Sequence, residues 1–207
     1  MAVQSSFRNM TLCLLVICFV CSALLAGVNV LTEKPIAAAA KAKTENAIAQ
    51  VVPPFEVLSD IKEIEVDGTA YQYYEVSASG SPCGYAVLSS TTGFGGTLSL
   101  MVGLTSDGKV YNTSVLSHSE TPGLGAKCTD SSFSSQFKNW NPYEKKLSVR
   151  KDGGDVDAIT ASTITSRAYT LAVANAVKAW TKITGNSFDA PSGASAAKTS
   201  TGGQGNE

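Results

Sequence analysis

The pattern of apolar and polar residues changes along the chain, and each change marks a different kind of segment. No charged residue lies between Arg8 and Glu33, and the centre of that window, 12–31, is mainly Leu, Val, Ile, Ala and Cys. A helix of about 20 apolar residues matches the hydrocarbon thickness of a bilayer. The pattern therefore predicts a transmembrane helix at 10–31, after a short N-terminal tail at 1–9.

A cleaved secretory signal is the alternative interpretation of this apolar segment, because the four alanines at 37–40 could form a small-residue cleavage site. The apolar stretch is longer than the roughly 7–15 residues of a typical signal, which favours the transmembrane helix. Residues 32–57 follow as an Ala-rich, partly charged juxtamembrane linker. This linker is expected to be helical near the membrane and to break at Pro53-Pro54.

From Tyr71 onward, apolar and polar residues alternate as they do in β-strands. A glycine-rich turn, Thr92 to Gly96, and a hairpin turn, Ser106-Asp107-Gly108, interrupt the alternation. The strands predicted by this pattern are 71–77, 83–89, 97–105 and 109–117.

Helical spacing returns after these strands. Phe133, Phe137 and Trp140 are spaced as on one face of a short amphipathic helix at 131–140, and a further short strand is expected at 147–150.

A broad apolar stripe begins at Ile164 and predicts a long helix that covers the sheet and ends at Gly185. Residues 189–207 are rich in Ser, Ala and Gly without apolar periodicity, so they are expected to form a disordered tail. Together the elements predict an α+β fold. After the membrane helix, one domain at 58–188 has a mostly antiparallel sheet packed by helices.

Composition and charge narrow the functional classes. A net charge of −1 gives no basic surface for nucleic acid, and one His without zinc-like Cys spacing gives no metal site. Three of the five Cys lie in the apolar N-terminal segment, which leaves Cys83 and Cys128 as the pair that could form a disulfide outside the cytoplasm. The sequence leaves that pairing open.

A hydroxyl-rich segment lies immediately before the long predicted helix. Five of the seven residues from Thr160 to Ser166 carry a hydroxyl group. Hydroxyls at a helix start can cap its free N–H groups, and the same N–H groups can instead bind a phosphate. The spacing alone leaves both interpretations open.

The same segment resembles the flavin-attachment motif of the FMN-binding family, which reads Asp-x-x-Ser/Thr-Gly-Ala/Ser-Thr. That family includes the G subunit of the Rnf electron-transport complex and the C subunit of the sodium-translocating NADH:quinone reductase. The resemblance implies that Thr163 forms a phosphoester with FMN and that Asp157 belongs to what the flavin transferase reads. Ala161 stands where the motif has Gly, which would strain a backbone of positive φ.

A second segment, Glu120 to Gly125, reads Glu-Thr-Pro-Gly-Leu-Gly and resembles the segment beside the flavin in the same family. Its Pro-Gly pair fits the centre of a type II turn. The resemblance implies that Glu120 and Thr121 contact the flavin, whereas Pro122, Gly123 and Leu124 shape the pocket. Around Ala161, the hydroxyls of Thr160, Ser162 and Ser166 are expected to donate to the flavin phosphate.

The resemblance implies a membrane-anchored flavoprotein subunit with covalent FMN, which relays electrons in a complex that couples electron transfer to Na⁺ or H⁺ translocation. Its implied partners are the other membrane subunits and, during maturation, the flavin transferase. The protein is expected to act as a subunit of this ion-translocating oxidoreductase and not to be independently catalytic. A single anchor provides no multi-helix pathway, so the chain is not expected to move ions by itself.

The family's flavin domains face away from the cytoplasm. The expected location is therefore the inner membrane, as a single-pass protein with a periplasmic flavin domain, although the count of Lys and Arg does not favour that orientation. Three alternatives remain: a C-type subunit of the quinone reductase, a non-redox extracytoplasmic binding module, and a hydrolase. The hydrolase is the weakest, because the one His, His118, has no recognisable nucleophile frame around it.

Overall fold

The computed structural model describes residues 7–186. The chain divides into two compact units, one up to Lys43 and one from Thr44 onward. The predicted disordered tail, 189–207, and most of the predicted N-terminal tail lie outside the described residues.

The first helix, α1, spans Phe7–Val51 and is long and apolar enough to cross a membrane. Its apolar side chains up to Leu31 are exposed, which suits a surface that faces lipid. The helix ends at Val51, shortly before Pro53-Pro54, where the residue preceding a proline avoids helical backbone angles.

The second unit contains a six-stranded antiparallel sheet. The strand order is β1-β3-β4-β5-β6, and β2 pairs with β3 beside β1. The strands are β1 Val57–Leu58, β2 Lys62–Val66, β3 Thr69–Ala78, β4 Ser81–Thr92, β5 Thr97–Thr105 and β6 Val110–Ser117.

Strand β5 is buried on both faces, because a helix covers each side of it. Leu98, Leu100, Val102 and Leu104 pack against the C-terminal helix α3, Thr163–Thr184, in the larger of two core clusters. Met101 lies on the opposite face and packs with the last turns of α1. The period of two residues along the strand therefore distributes its side chains between two cores.

The predicted α+β fold is confirmed, with a long apolar helix followed by an antiparallel sheet and helices. The predicted long helix is also present, and Gly185 ends it in the left-handed conformation at φ 71°. Strands β1 and β2 were not predicted. The first has only two residues, and the second is an edge strand that includes Lys62, Glu63 and Glu65.

The predicted helix at 131–140 is wrong beyond its first turns. Helix α2 spans Ser131–Ser134 and continues only as a 3-10 turn to Phe137. Asn139 then adopts a positive φ of 54° and donates its N–H to Tyr111, so the backbone pairs with β6 instead of extending the helix.

The predicted strand at 147–150 is also wrong. Val149 makes one isolated bridge with Val156, and the chain then turns through a 3-10 helix, Arg150–Asp152. Gly153 ends this turn with a positive φ of 77°. A turn so close to the bridge leaves no room for a ladder.

Cys83 and Cys128 are free thiols in this structure. Cys83 packs beside the cluster that contains the end of α1, and Cys128 is buried in the cluster beneath α3. Because the sheet separates the two clusters, these cysteines do not form the disulfide that the sequence left open.

We predict that Gly103→Ala destabilises the domain by about 3 kcal/mol, since an overpacked backbone contact costs roughly that much. A Cβ at Gly103 would lie 1.6 Å from the carbonyl oxygen of Val51, a backbone atom that cannot turn aside. Urea unfolding of the detergent-solubilised chain, followed by Trp fluorescence, measures this loss. The control is Gly27→Ala, because nothing lies within 4 Å of that Cβ. Equal stability of the two variants would contradict the packing of Val51 on β5.

We also predict that Cys128 resists alkylation by iodoacetamide at neutral pH in the native chain. Burial, aided by the nearby charge of Glu120, raises the pKa of the Cys128 thiol to about 11, so the reactive thiolate is scarce. Cys83 is only half-buried and is expected to react faster. Peptide mass mapping before and after unfolding measures both, and fast native modification of Cys128 would refute the burial.

Candidate functional site

A cleft of about 370 Å³ opens at the start of α3, where three segments that are distant in sequence meet. The glycine-rich turn after β4 contributes one wall, the Glu-Thr-Pro-Gly-Leu-Gly segment a second, and the hydroxyl-rich segment a third. The residues that line it are Phe94, Glu120, Thr121, Leu124, Gly125, Ala161, Ser162, Thr163, Ile164 and Thr165.

Glu120 joins the three walls. Glu120 is only 5% exposed to solvent, and both of its carboxylate oxygens accept hydrogen bonds from the protein. Oε1 accepts the backbone N–H of Phe94 at 2.8 Å, and Oε2 accepts the hydroxyl of Thr165 at 2.8 Å. A buried carboxylate is costly unless it is hydrogen-bonded, so these two contacts are what permit it here.

Glycines make room for this carboxylate. A Cβ at Gly93 would lie 1.9 Å from Oε1 of Glu120, and one at Gly125 would lie 2.4 Å from Oε2. A Cβ at Gly95 would lie 2.1 Å from the carbonyl oxygen of Ser119. The glycines of both loops are therefore required by close approach of the backbone to the Glu120 segment.

The Glu-Thr-Pro-Gly-Leu-Gly segment forms the predicted turn. Leu124 donates its N–H to the carbonyl of Thr121 at 3.2 Å, and Gly123 has the positive φ of 76° that a type II turn needs at that position. His118 lies just before it, and its Nδ1 accepts the N–H of Glu120 at 3.3 Å. This histidine therefore supports the loop.

Helix α3 begins without a side-chain cap. Ser162 is the residue before the helix, and its hydroxyl makes no capping hydrogen bond, so the hydroxyl cap, one of the two interpretations that the spacing left open, is absent at this position. The first N–H groups of a helix have no partner within it. Thr163, Ile164 and Thr165 carry these groups here, and all three residues line the cleft.

Ser166 supports the turn that precedes the helix. It is fully buried, donates its hydroxyl to the carbonyl of Ser162 at 2.9 Å and accepts the N–H of Ile159 at 2.9 Å. Its only O–H is thus engaged within the protein, and Ser166 is not part of the cleft wall. The structure therefore gives this hydroxyl a positioning role in place of the expected phosphate contact.

Ala161 has a φ of +60°, in the left-handed region that favours glycine. It occupies the position at which the flavin-attachment motif has Gly, and it lines the cleft. An L-residue with a Cβ is strained in this conformation by about 1–2 kcal/mol. The replacement of the motif Gly by Ala161 therefore preserves the left-handed backbone turn but adds conformational strain to it.

The structure brings some of the expected site residues together and leaves others outside. Glu120, Thr121, Leu124, Ala161, Ser162 and Thr163 line the cleft. Pro122, Gly123, Thr160 and Asp157 are exposed and lie outside its lining. Asp157 forms an ion pair with Arg150 at 3.0 Å. The side-chain amide of Gln136 accepts the backbone N–H of Asp157 and donates to its carbonyl.

Four lining residues were not among the expected site residues: Phe94, Gly125, Ile164 and Thr165. Gly125 and Phe94 lie within motifs that the sequence does display, but their contacts depend on how the loops meet. Thr165 is one of several hydroxyl residues in its segment, and only the fold shows that it is the one bonded to Glu120.

An ion pair holds the first turns of α3 from the outside. Arg167 donates two hydrogen bonds to the carboxylate of Asp152, both at 2.7 Å. The hydrogen bonds from this guanidinium lower the pKa of Asp152 below its ordinary value. The turn that begins at Arg150 is thereby tied to the helix that carries the cleft.

Two protein-family models match segments of this chain. The model of the FMN-binding domain family matches residues 93–178, and the model of the RnfG N-terminal region matches residues 1–51. The G subunit of the proton-translocating ferredoxin:NAD(+) oxidoreductase complex of Clostridium ljungdahlii is 34% identical, over 88% of this chain and 96% of its own length. The chain belongs to the family of G subunits of ion-translocating oxidoreductase complexes.

Other G subunits show the same degree of similarity. The G subunit of the ion-translocating oxidoreductase complex of Methanosarcina acetivorans is 34% identical over 79% of this chain and 89% of its own length. Its counterpart in Shewanella baltica is 33% identical over 76% and 82%. Among solved structures, the C subunit of the Na⁺-translocating NADH-quinone reductase of Parabacteroides distasonis is 22% identical, covers 71% of this chain and 85% of its own, and superimposes with a TM-score of 0.47.

In this G subunit, the residues of the cleft suit FMN at both ends. The free N–H groups at the start of α3 and the helix dipole favour a phosphate. Phe94, Leu124 and Ile164 line the same cleft and are 70%, 45% and 50% exposed, so they offer an apolar surface for a flat ring. The volume of about 370 Å³ lies in the range of ligand sites, which begins at about 300 Å³.

We predict that Ala161→Gly raises the free energy of unfolding by about 1 kcal/mol, because it relieves the strain of a Cβ at positive φ. Urea unfolding of the detergent-solubilised chain measures the gain. The matched control is Ala174→Gly within α3, which is expected to lower stability by about 0.5–1 kcal/mol. A destabilised Ala161→Gly would show that residue 161 is not left-handed in solution.

Proposed function

We propose that this chain is the membrane-anchored flavoprotein subunit of an ion-translocating oxidoreductase complex, and that it carries FMN as a phosphoester on Thr163. The protein relays electrons between other subunits of that complex. The proposal is supported by the meeting of both family motifs at one cleft. The half-buried Thr163 lies in that cleft as the first residue of α3.

The residues of the chain bind and orient the cofactor. The N–H groups of the first turn of α3 face no helical acceptor, and the helix dipole favours a negative phosphate by about 0.3–1 kcal/mol when exposed. Ser162, which makes no cap, leaves its hydroxyl available to the same phosphate. The apolar side chains of Phe94, Leu124 and Ile164 hold the ring. FMN supplies the one-electron redox chemistry when bound.

Covalent attachment suits the shape of this site. The cleft is lined partly by exposed side chains, so it encloses a ligand incompletely. A phosphoester at the Thr163 hydroxyl retains the cofactor whatever its non-covalent affinity. The exposed Asp157, six residues before Thr163, is on the surface that a flavin transferase would meet during maturation.

The chain works within a membrane complex. Helix α1 is the candidate membrane span of the described residues, and a single span offers no pathway for ions. Ion translocation therefore belongs to partner subunits, and this chain contributes the electron-transfer step that drives it. The proposed location of the flavin domain is the periplasmic side of the inner membrane.

We predict that intact-mass spectrometry of the full chain, co-produced with its flavin transferase, shows the mass of the polypeptide plus one FMN less one water. Thr163→Ala removes the ester oxygen and is expected to abolish this addition. Thr163→Ser retains a hydroxyl at the same place and is expected to keep some of it.

The matched control is Thr69→Ala. Thr69 is exposed and lies outside both the cleft and the attachment motif, so its removal is expected to leave the addition unchanged. Retention of the full addition by Thr163→Ala would assign the linkage to another residue. A wild-type chain at the polypeptide mass would contradict covalent attachment.

A further inference from the structure

The buried carboxylate of Glu120 is the one acidic group in the wall of the cleft, among the described residues. We infer that Glu120 is a positioning residue, which fixes the apolar wall at Phe94 relative to the attachment oxygen of Thr163. This inference rests on the proposed function, because it assigns Glu120 a role toward the flavin that Thr163 would carry. It replaces direct contact with the cofactor, which the family resemblance implies for this residue.

The hydrogen bonds show why Glu120 acts through other residues. Each of its two oxygens is 2.8 Å from a protein donor, one on the glycine-rich turn and one on α3. Its residue surface is 5% exposed, so little of it is open to a ligand. A carboxylate that accepts charge-assisted hydrogen bonds at both ends acts as a rigid bridge between the two donors.

The bridge reaches the attachment residue through one turn of helix. Thr165 is two residues after Thr163 in the first turn of α3 and is 1% exposed. A helical turn is stiff, because its backbone hydrogen bonds fix consecutive residues together. A restraint on Thr165 therefore also restrains Thr163.

The bridge reaches the apolar wall through a backbone N–H. The turn that carries Phe94 has a further internal hydrogen bond, from Gly93 N–H to the carbonyl of Gly96 at 2.8 Å. Phe94 itself is 70% exposed, so its ring has little packing of its own to hold it. Its position therefore depends on the backbone, which Glu120 holds.

Two glycines keep the bridge free of other atoms. A Cβ at Gly125 would lie 2.4 Å from Oε2 of Glu120 and 2.7 Å from Oγ1 of Thr165, between the two bonded partners. Gly93 leaves space for Oε1 in the same way, because a Cβ there would lie 1.9 Å from that oxygen. Gly125 does not have a positive φ, so the backbone alone does not require glycine there. Glycine is required there because a Cβ would occupy the space of the hydrogen bond between Glu120 and Thr165.

The test uses a matched pair of threonine variants in the full chain, co-produced with the flavin transferase. Thr165→Val removes the hydroxyl that Glu120 accepts and retains the shape of the side chain. Thr113→Val is the control, because Thr113 is also buried and its hydroxyl is also 2.8 Å from a partner, Tyr169, away from the cleft. Thr165→Ser restores the hydroxyl and serves as the rescue.

Two measurements follow the position of the cleft walls. Hydrogen exchange of the Phe94 amide is expected to accelerate about tenfold or more in Thr165→Val, since a charge-assisted hydrogen bond that loses its anchor loses at least that much protection. The fluorescence anisotropy of the attached flavin is expected to fall in the same variant. Both quantities are expected to stay at the wild-type level in Thr113→Val and in Thr165→Ser.

Gly125→Ala is the second variant, because it places a methyl group in the bridge without removing either partner. It is expected to give the same two changes as Thr165→Val. Should Thr165→Val fail to accumulate, Gly125→Ala takes its place in both measurements. The inference would be overturned if Thr165→Val and Thr113→Val gave the same Phe94 exchange rate and flavin anisotropy. It would also be overturned if Gly125→Ala left both quantities unchanged.

The flavin content of the wild-type chain separates the role of Glu120 from the proposed function. A wild-type chain without flavin would contradict the proposed function. A wild-type chain with flavin, whose anisotropy and Phe94 exchange are unaffected by Thr165→Val, would retain the proposed function and reject Glu120 as its positioning residue.

Discussion

One buried carboxylate holds the functional end of this domain together. Glu120 accepts a backbone N–H from the turn after β4 and a hydroxyl from the first turn of α3, and both distances are 2.8 Å. Desolvating a charged group is costly, so neither donor can be lost without a large penalty. The glycines at 93 and 125 follow from the same constraint, because a Cβ at either would overlap the carboxylate oxygens.

The rest of the domain delivers these three segments to one place. Strand β5 pairs with β4 and β6, and it has α3 on one face and the end of α1 on the other. The contact between Gly103 and Val51 brings the end of the apolar helix directly onto the sheet. The strand that precedes the glycine-rich turn and the helix that begins at Thr163 are also joined, by a hydrogen bond of 2.9 Å from Thr91 to Ala168. The cleft therefore lies where the end of β4 and the start of α3 are held together.

Sequence patterns predicted the parts of the fold that local periodicity determines. The four longer strands, the helix that ends at Gly185 and the Pro122-Gly123 turn all agree with the structure. The predicted 131–140 helix is wrong beyond its first turns, because backbone pairing with β6 replaces the helical hydrogen bonds there. At the site, the motifs indicated Thr163 but not Thr165, since a hydrogen bond across 45 residues depends on the fold. Ala161 was the opposite case: a single departure from a motif predicted the strain that its φ of 60° shows.

Tandem mass spectrometry of one tryptic peptide shows whether the Thr163 oxygen carries a flavin. Cleavage after Lys151 and Arg167 releases residues 152–167, which contain Thr163 and four other hydroxyl residues. We expect the peptide from the co-produced native chain to carry one FMN, and we expect fragment ions to locate it on Thr163. A flavin-free peptide, or fragments that locate the flavin on another hydroxyl, would contradict this expectation.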